Sequence, residues 1–171
     1  MRSDHRQAAP LWRVAGPAAL ALCLLAGTLC PGAVAAEPAR AEYVGRLEQI
    51  CKPGSEATQR AVRGVTADIR AERLRLAASK FFKARRIFAG TVSRIAKVPR
   101  PPAVADTLSR WFAALERETV YLGRTAAALG SEDVARFQRV SANFIHEGNK
   151  ANNVVVSFGF NYCAFKPARF R

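Results

Sequence analysis

The sequence predicts an all-α protein: an antiparallel, up-and-down four-helix bundle with one disulfide, preceded by a signal peptide. Three observations carry this. Apolar residues recur at steps of three and four in four separate segments, as on helices packed along their length. The connections between these segments are short, which makes sequential helices antiparallel neighbours. The only run resembling a strand, Val154-Val155-Val156, is too short and isolated to build a sheet.

The amino-terminal stretch reads as a signal peptide over residues 1–35. Arg2, Arg6 and Arg13 precede an uncharged segment from Val14 to Ala36, with an apolar body from Ala18 to Leu25 and small residues at Ala33-Val34-Ala35. Cleavage is expected after Ala35 or Ala36. A retained anchor would have to tolerate Pro17, Pro31 and Gly32 within the span. Lipid attachment is disfavoured because Leu22 and Leu29, rather than small residues, precede Cys23 and Cys30.

The remaining chain is the size of one domain, a bundle over residues 36–163 followed by a flexible basic tail over 164–171. The full chain carries a net charge of +14; the leader takes three arginines and one aspartate with it, leaving +12. An exported cation of this strength is drawn to anionic lipid headgroups, wall polymers or acidic glycans. Nucleic acid is the less fitting partner outside the cytoplasm.

Cleavage would leave two cysteines, Cys51 and Cys163, in a compartment that permits disulfides. Joining them closes a loop worth about 4–5 kcal/mol by chain entropy, an upper figure. A redox role is less favoured, since neither lies in a Cys-x-x-Cys motif.

The first helix is expected to start near Pro38 and to bury Tyr43, Leu47, Ile50 and Cys51. Pro53-Gly54 predicts a kink, or a restart capped by Ser55. Ala61, Val62 and Val65 continue the stripe, and Gly64 and Thr66 offer the best place for a turn, the alternative being that Asp68-Ile69-Arg70 continue the helix. The second helix spans Leu74 to Val98, with a seam of Leu74, Ala77, Phe81, Ala84, Phe88, Thr91, Ile95 and Val98. It stops before Pro99-Arg100-Pro101-Pro102.

The third helix buries Val104, Leu108, Trp111, Leu115, Leu122, Ala126 and Leu129, and Gly130 takes the left-handed position at its end. Trp111, Phe112 and Tyr121 read as core rather than as a ligand platform. Ser131 then caps the fourth helix, with Glu132 and Asp133 complementing its dipole. Its inward residues are Val134, Phe137, Ser141, Phe144, Gly148, Ala151, Val155 and Phe158, with a bend or early stop expected around Gly148, Asn149, Asn152 and Asn153. This topology returns Cys163 to the neighbourhood of Cys51.

Catalytic chemistry finds little to build on. His146 is the one histidine of the mature chain; no Gly-x-Ser-x-Gly marks a nucleophile, and His146-Glu147 lacks a second histidine four residues on. One histidine cannot furnish a di-iron bundle, and the usual haem attachments are missing, so no metal or cofactor is expected. Glu116 and Glu118, two apart on one helix, diverge too far to act as a pair. An enzyme is therefore not expected, a hydrolase built on His146 being the remote version.

The feature left over is charge. Between Ala57 and Arg100 twelve Lys and Arg residues face only Asp68 and Glu72. On the second helix Arg73, Lys80, Lys83, Arg86, Arg94 and Lys97 lie opposite the apolar seam, forming a candidate surface for an anionic envelope polymer or membrane. The blander reading is a solvated face. A small-molecule carrier or sensor is the alternative function, with an apolar pocket where Gly148, Ala151 and Ser141 leave room.

The order of features also resembles a group of small secreted helical proteins of high-GC actinobacteria. The likeness rests on the leader, Tyr43-Val44-Gly45-Arg46-Leu47-Glu48-Gln49-Ile50-Cys51, the basic helix, the proline break, the Trp111 helix and Phe158-Gly159-Phe160-Asn161-Tyr162-Cys163. Pro53-Gly54 and the basic extension beyond Cys163 depart from it. The resemblance implies export, the disulfide and the bundle; it implies no activity and no site residue.

Overall fold

A computed structural model describes residues 31–164 and Lys166, with side chains from residue 39 onward. The predicted leader therefore lies outside the described residues up to Cys30, as does the basic tail apart from Ala164 and Lys166. The described chain is helical, without strands. Four long helices, α1 (Pro31–Val62), α3 (Leu74–Ala96), α4 (Ala105–Gly130) and α5 (Val134–Val154), are joined by a short α2 (Val65–Arg70) and by 3-10 turns at Pro102–Val104 and Val156–Phe158. Consecutive long helices run antiparallel, giving the predicted bundle.

α1 packs on α3, α3 on α4 and α4 on α5. Among the described residues α1 and α5 barely touch; the fourth side is closed at one end by the segment after α5. There Cys163 is bonded to Cys51, with Cα atoms 5.1 Å apart.

α1 is already helical at Pro31, upstream of the expected start, in an alanine-rich stretch that favours helix. It also stays helical through Pro53-Gly54, so of the expected kink or restart the restart does not occur. The buried stripe Tyr43, Leu47, Cys51, Gly54, Thr58 and Val62 explains this, because a restart would rotate one half of it out of the core. Gly54 is itself needed: a Cβ there would sit 2.2 Å from Thr91 Oγ1, so α1 and α3 meet at this point with no room for a side chain.

Gly64, at φ +74°, ends α1 as expected, but the chain resumes as α2 and reverses only at Ala71–Arg73. At this reversal Glu72 adopts φ 55°, and Arg73 N–H bonds back to Asp68 O. The α4–α5 turn repeats the device. Glu132, not Gly130, takes the left-handed conformation, at φ 58°, and Asp133 N–H donates to Ala128 O. The cap of α5 is correspondingly Asp133, whose carboxylate accepts Arg136 N–H, rather than Ser131. Arg75 pairs with Glu132 at 3.0 Å, linking the two reversals.

The core has two parts. One gathers Tyr43, Leu47, Cys51, Ile95, Leu108, Trp111, Leu115, Val155, Phe158 and Phe160; the other gathers Ala61, Val62, Val65, Ala77, Phe81, Ala84, Leu122, Ala126, Leu129 and Phe144. Trp111 and Phe112 are buried as expected and Tyr121 partly so. α5 stays helical through Gly148 and its asparagines, but Val134, expected inside, is 51% exposed on the first turn.

Candidate functional site

α3 contains no acidic residue and six basic ones. At about 100° per residue, Arg75, Lys83, Arg86, Arg94 and Lys97 fall opposite the buried row of Ala77, Phe81, Ala84, Thr91 and Ile95. All five are exposed. Leu76 and Phe82 lie on the same outward side and are 46% and 44% exposed. The solvent face of α3 is thus a strip of cations set with two large apolar side chains.

Two of the six predicted surface cations are spent internally. Asp68, buried on α2, accepts from Arg73 Nε at 3.1 Å and Nη2 at 2.7 Å, and from Lys80 Nζ. Lys80 also donates to Arg63 O at 2.9 Å. The Lys80 and Arg73 hydrogen bonds hold the Asp68 carboxyl below its usual range, so it stays charged and welds the α2–α3 corner. Among the described residues no ion pair engages Lys83, Arg86, Arg94 or Lys97, although Arg94 donates to Thr91 Oγ1 at 3.3 Å. These four are the cations available to a partner.

A second feature lies inside. A cavity of about 70 Å³ opens where the two cores meet, between α1 and the tail on one side and α3, α4 and Phe144 of α5 on the other. The pocket foreseen from small residues of the last helix is not this one: Gly148, Ala151 and Ser141 do not line it. Gly148 and Ala151 are packed in, and Ser141 Oγ donates to Phe137 O at 2.7 Å.

Glu118 of α4 lines this cavity at 2% exposure, and its Oε2 has no hydrogen-bond partner among the described residues. Burial, aided by the negative charge of Glu147, raises its pKa to about 8. Glu147 itself is held ionised by Arg117, whose Nε donates to it at 2.8 Å. In the sequence Glu118 reads only as half of a failed pair with Glu116. The available signal was its register: 108, 111, 115, 118 and 122 continue one stripe, so a carboxylate at 118 had to face inward.

His146 is exposed on α5, and the described residues hold no cluster of His, Cys, Asp and Glu fit for a metal ion. No helix among them is long and apolar enough to cross a membrane. Compared with family models, curated proteins and solved structures, the chain matches none.

Proposed function

We propose that this protein is an exported, non-enzymatic module that docks on an anionic surface of the cell envelope through the outward face of α3. The observation that carries this reading is the placement of exposed Phe82 and Leu76 among Lys83, Arg86, Arg94 and Lys97. Cations alone suit any polyanion. Apolar side chains between them suit a lipid interface, where rings and aliphatic chains enter the headgroup boundary while the cations meet phosphate. The cysteine pair accords with an oxidising compartment.

Sedimentation of residues 36–171 with vesicles tests this. Vesicles containing phosphatidylglycerol should bind the protein, purely zwitterionic ones should not, and salt should weaken binding. Each basic group near such a surface contributes roughly 1 kcal/mol, so changing Lys83, Arg86, Arg94 and Lys97 to Gln should cost on the order of 100-fold or more. Phe82→Ser should weaken vesicle binding but leave binding to a soluble polyanion unchanged. Equal vesicle binding by the four-Gln variant overturns the assignment of this face.

A further inference from the structure

The waist of the bundle, between its two cores, is where ordinary packing stops. Cys51, Ile95 and Leu115 of one core and Leu122 and Phe144 of the other face the same cavity. Its volume, at roughly 10–15 Å³ for a water, corresponds to about five waters or a six-membered ring. The barely touching α1 and α5 leave it on the one side of the bundle that helix packing does not seal.

Its polar groups are nearly all committed. Thr58 donates its hydroxyl to Gly54 O at 2.9 Å, and Thr91 donates to Ile87 O at 3.0 Å. Among the described residues Glu118 is the exception, its Oε2 having no hydrogen-bond partner there. A buried carboxyl oxygen without a partner is costly, and such groups in native proteins call for a reason. Packing does not demand a carboxylate here, since leucine at the same step of the stripe, as at 115 and 122, would complete the helix interface.

We propose that this cavity binds a small, uncharged, mostly apolar molecule carrying one hydrogen-bond-accepting oxygen, a ketone, ester or ether, which the Glu118 carboxyl recognises by donating its proton. Burial keeps that proton in place at neutral pH. The walls of Phe88, Ile95, Leu115, Leu122 and Phe144 are apolar, and Lys166, the cation among the lining residues, already donates to Asn161 Oδ1 at 2.6 Å. Lys166 at the lip and the net positive chain disfavour an ammonium. The site is independent of the α3 face, and its test needs no membrane.

The probes are cyclohexanone and methylcyclohexane, close in shape and differing in the carbonyl, titrated into the full chain while side-chain NMR signals of Leu115, Leu122 and Phe144 are followed. Cyclohexanone should shift these signals saturably and leave those of Leu47 in place, and its affinity relative to methylcyclohexane should fall severalfold when the donor at 118 is removed. Glu118→Gln keeps a donor and should keep the ratio of affinities of the unmodified protein; Glu118→Met should shift that ratio severalfold toward methylcyclohexane. On the unmodified protein, the carbonyl carbon-13 signal of bound cyclohexanone should lie downfield of its position in an apolar solvent, which needs no variant to fold. Shifts from neither probe would remove the site. An unchanged ratio of affinities in Glu118→Met, or a bound carbonyl signal at its apolar-solvent position, would remove Glu118 as the recognising group.

Discussion

The carboxylate of Glu48 straddles the backbone N–H of Tyr162, accepting it on both oxygens at 3.0 and 2.9 Å. Its Oε1 also accepts the N–H groups of Asn161 and Cys163, at 2.9 and 3.2 Å. A single side chain of α1 thus holds three consecutive amides of the closing segment beside the disulfide. Glu48→Ala should destabilise the protein by about 1.5–3 kcal/mol, the worth of hydrogen bonds to a charged group. In a double-mutant cycle with Cys163→Ser, urea unfolding should give strongly non-additive losses, because both changes release the same segment.

Glu118 sets a pH dependence. Below pH 4.5 folded and unfolded chains both carry its proton; between 4.5 and about 8 the folded chain keeps it while the unfolded chain releases it. Stability should therefore fall as pH rises through this window. At 1.36 kcal/mol per pKa unit the loss reaches up to about 5 kcal/mol. Glu118→Gln should abolish this component, so its advantage over the unmodified protein should grow from pH 5 to pH 8.5 in urea unfolding.

Gly54→Ala should destabilise by about 1–3 kcal/mol through overpacking, since the new Cβ meets Thr91 Oγ1 and Cγ2 at 2.2 and 2.9 Å. Adding Thr91→Ala removes those two atoms and should recover most of the loss. Thermal melts of the two single variants and the double variant decide it.

Glu72→Gly should stabilise by about 1 kcal/mol, because a non-glycine residue at φ 55° carries a left-handed penalty of roughly 1–2 kcal/mol that glycine escapes, less glycine's greater unfolded-state entropy. The urea midpoint should rise with an unchanged slope.

The helix faces were legible because burial imposes a period. The seam from Leu74 to Ile95 and the stripe from Leu108 to Leu129 follow directly from residue spacing. Local punctuation was less readable. Pro53 and Gly54 look like a break to nearest-neighbour rules, yet the continuous stripe of α1 and the close approach of Thr91 override them. Gly130 looks like the left-handed residue, but the 6→1 bond from Asp133 to Ala128 moves that conformation two residues on, to Glu132. Val134 follows the apolar pattern and is still exposed, because the buried row of α5 only begins with half-buried Phe137. The cationic face was visible as a charge pattern. That Asp68 would withdraw Arg73 and Lys80 from it depended on α2, a six-residue helix with no periodic signal of its own.

The Cys51–Cys163 bond encloses everything between its two sulfurs, a separation of 112 residues. Tension applied to the chain before the first cysteine and after the second runs through sulfur and bypasses α2 to α5 altogether. A pulled molecule gives up only its outer segments while the bond lasts, and a protease cut at Ala71 or Glu72 leaves both fragments as one particle until a reductant separates them.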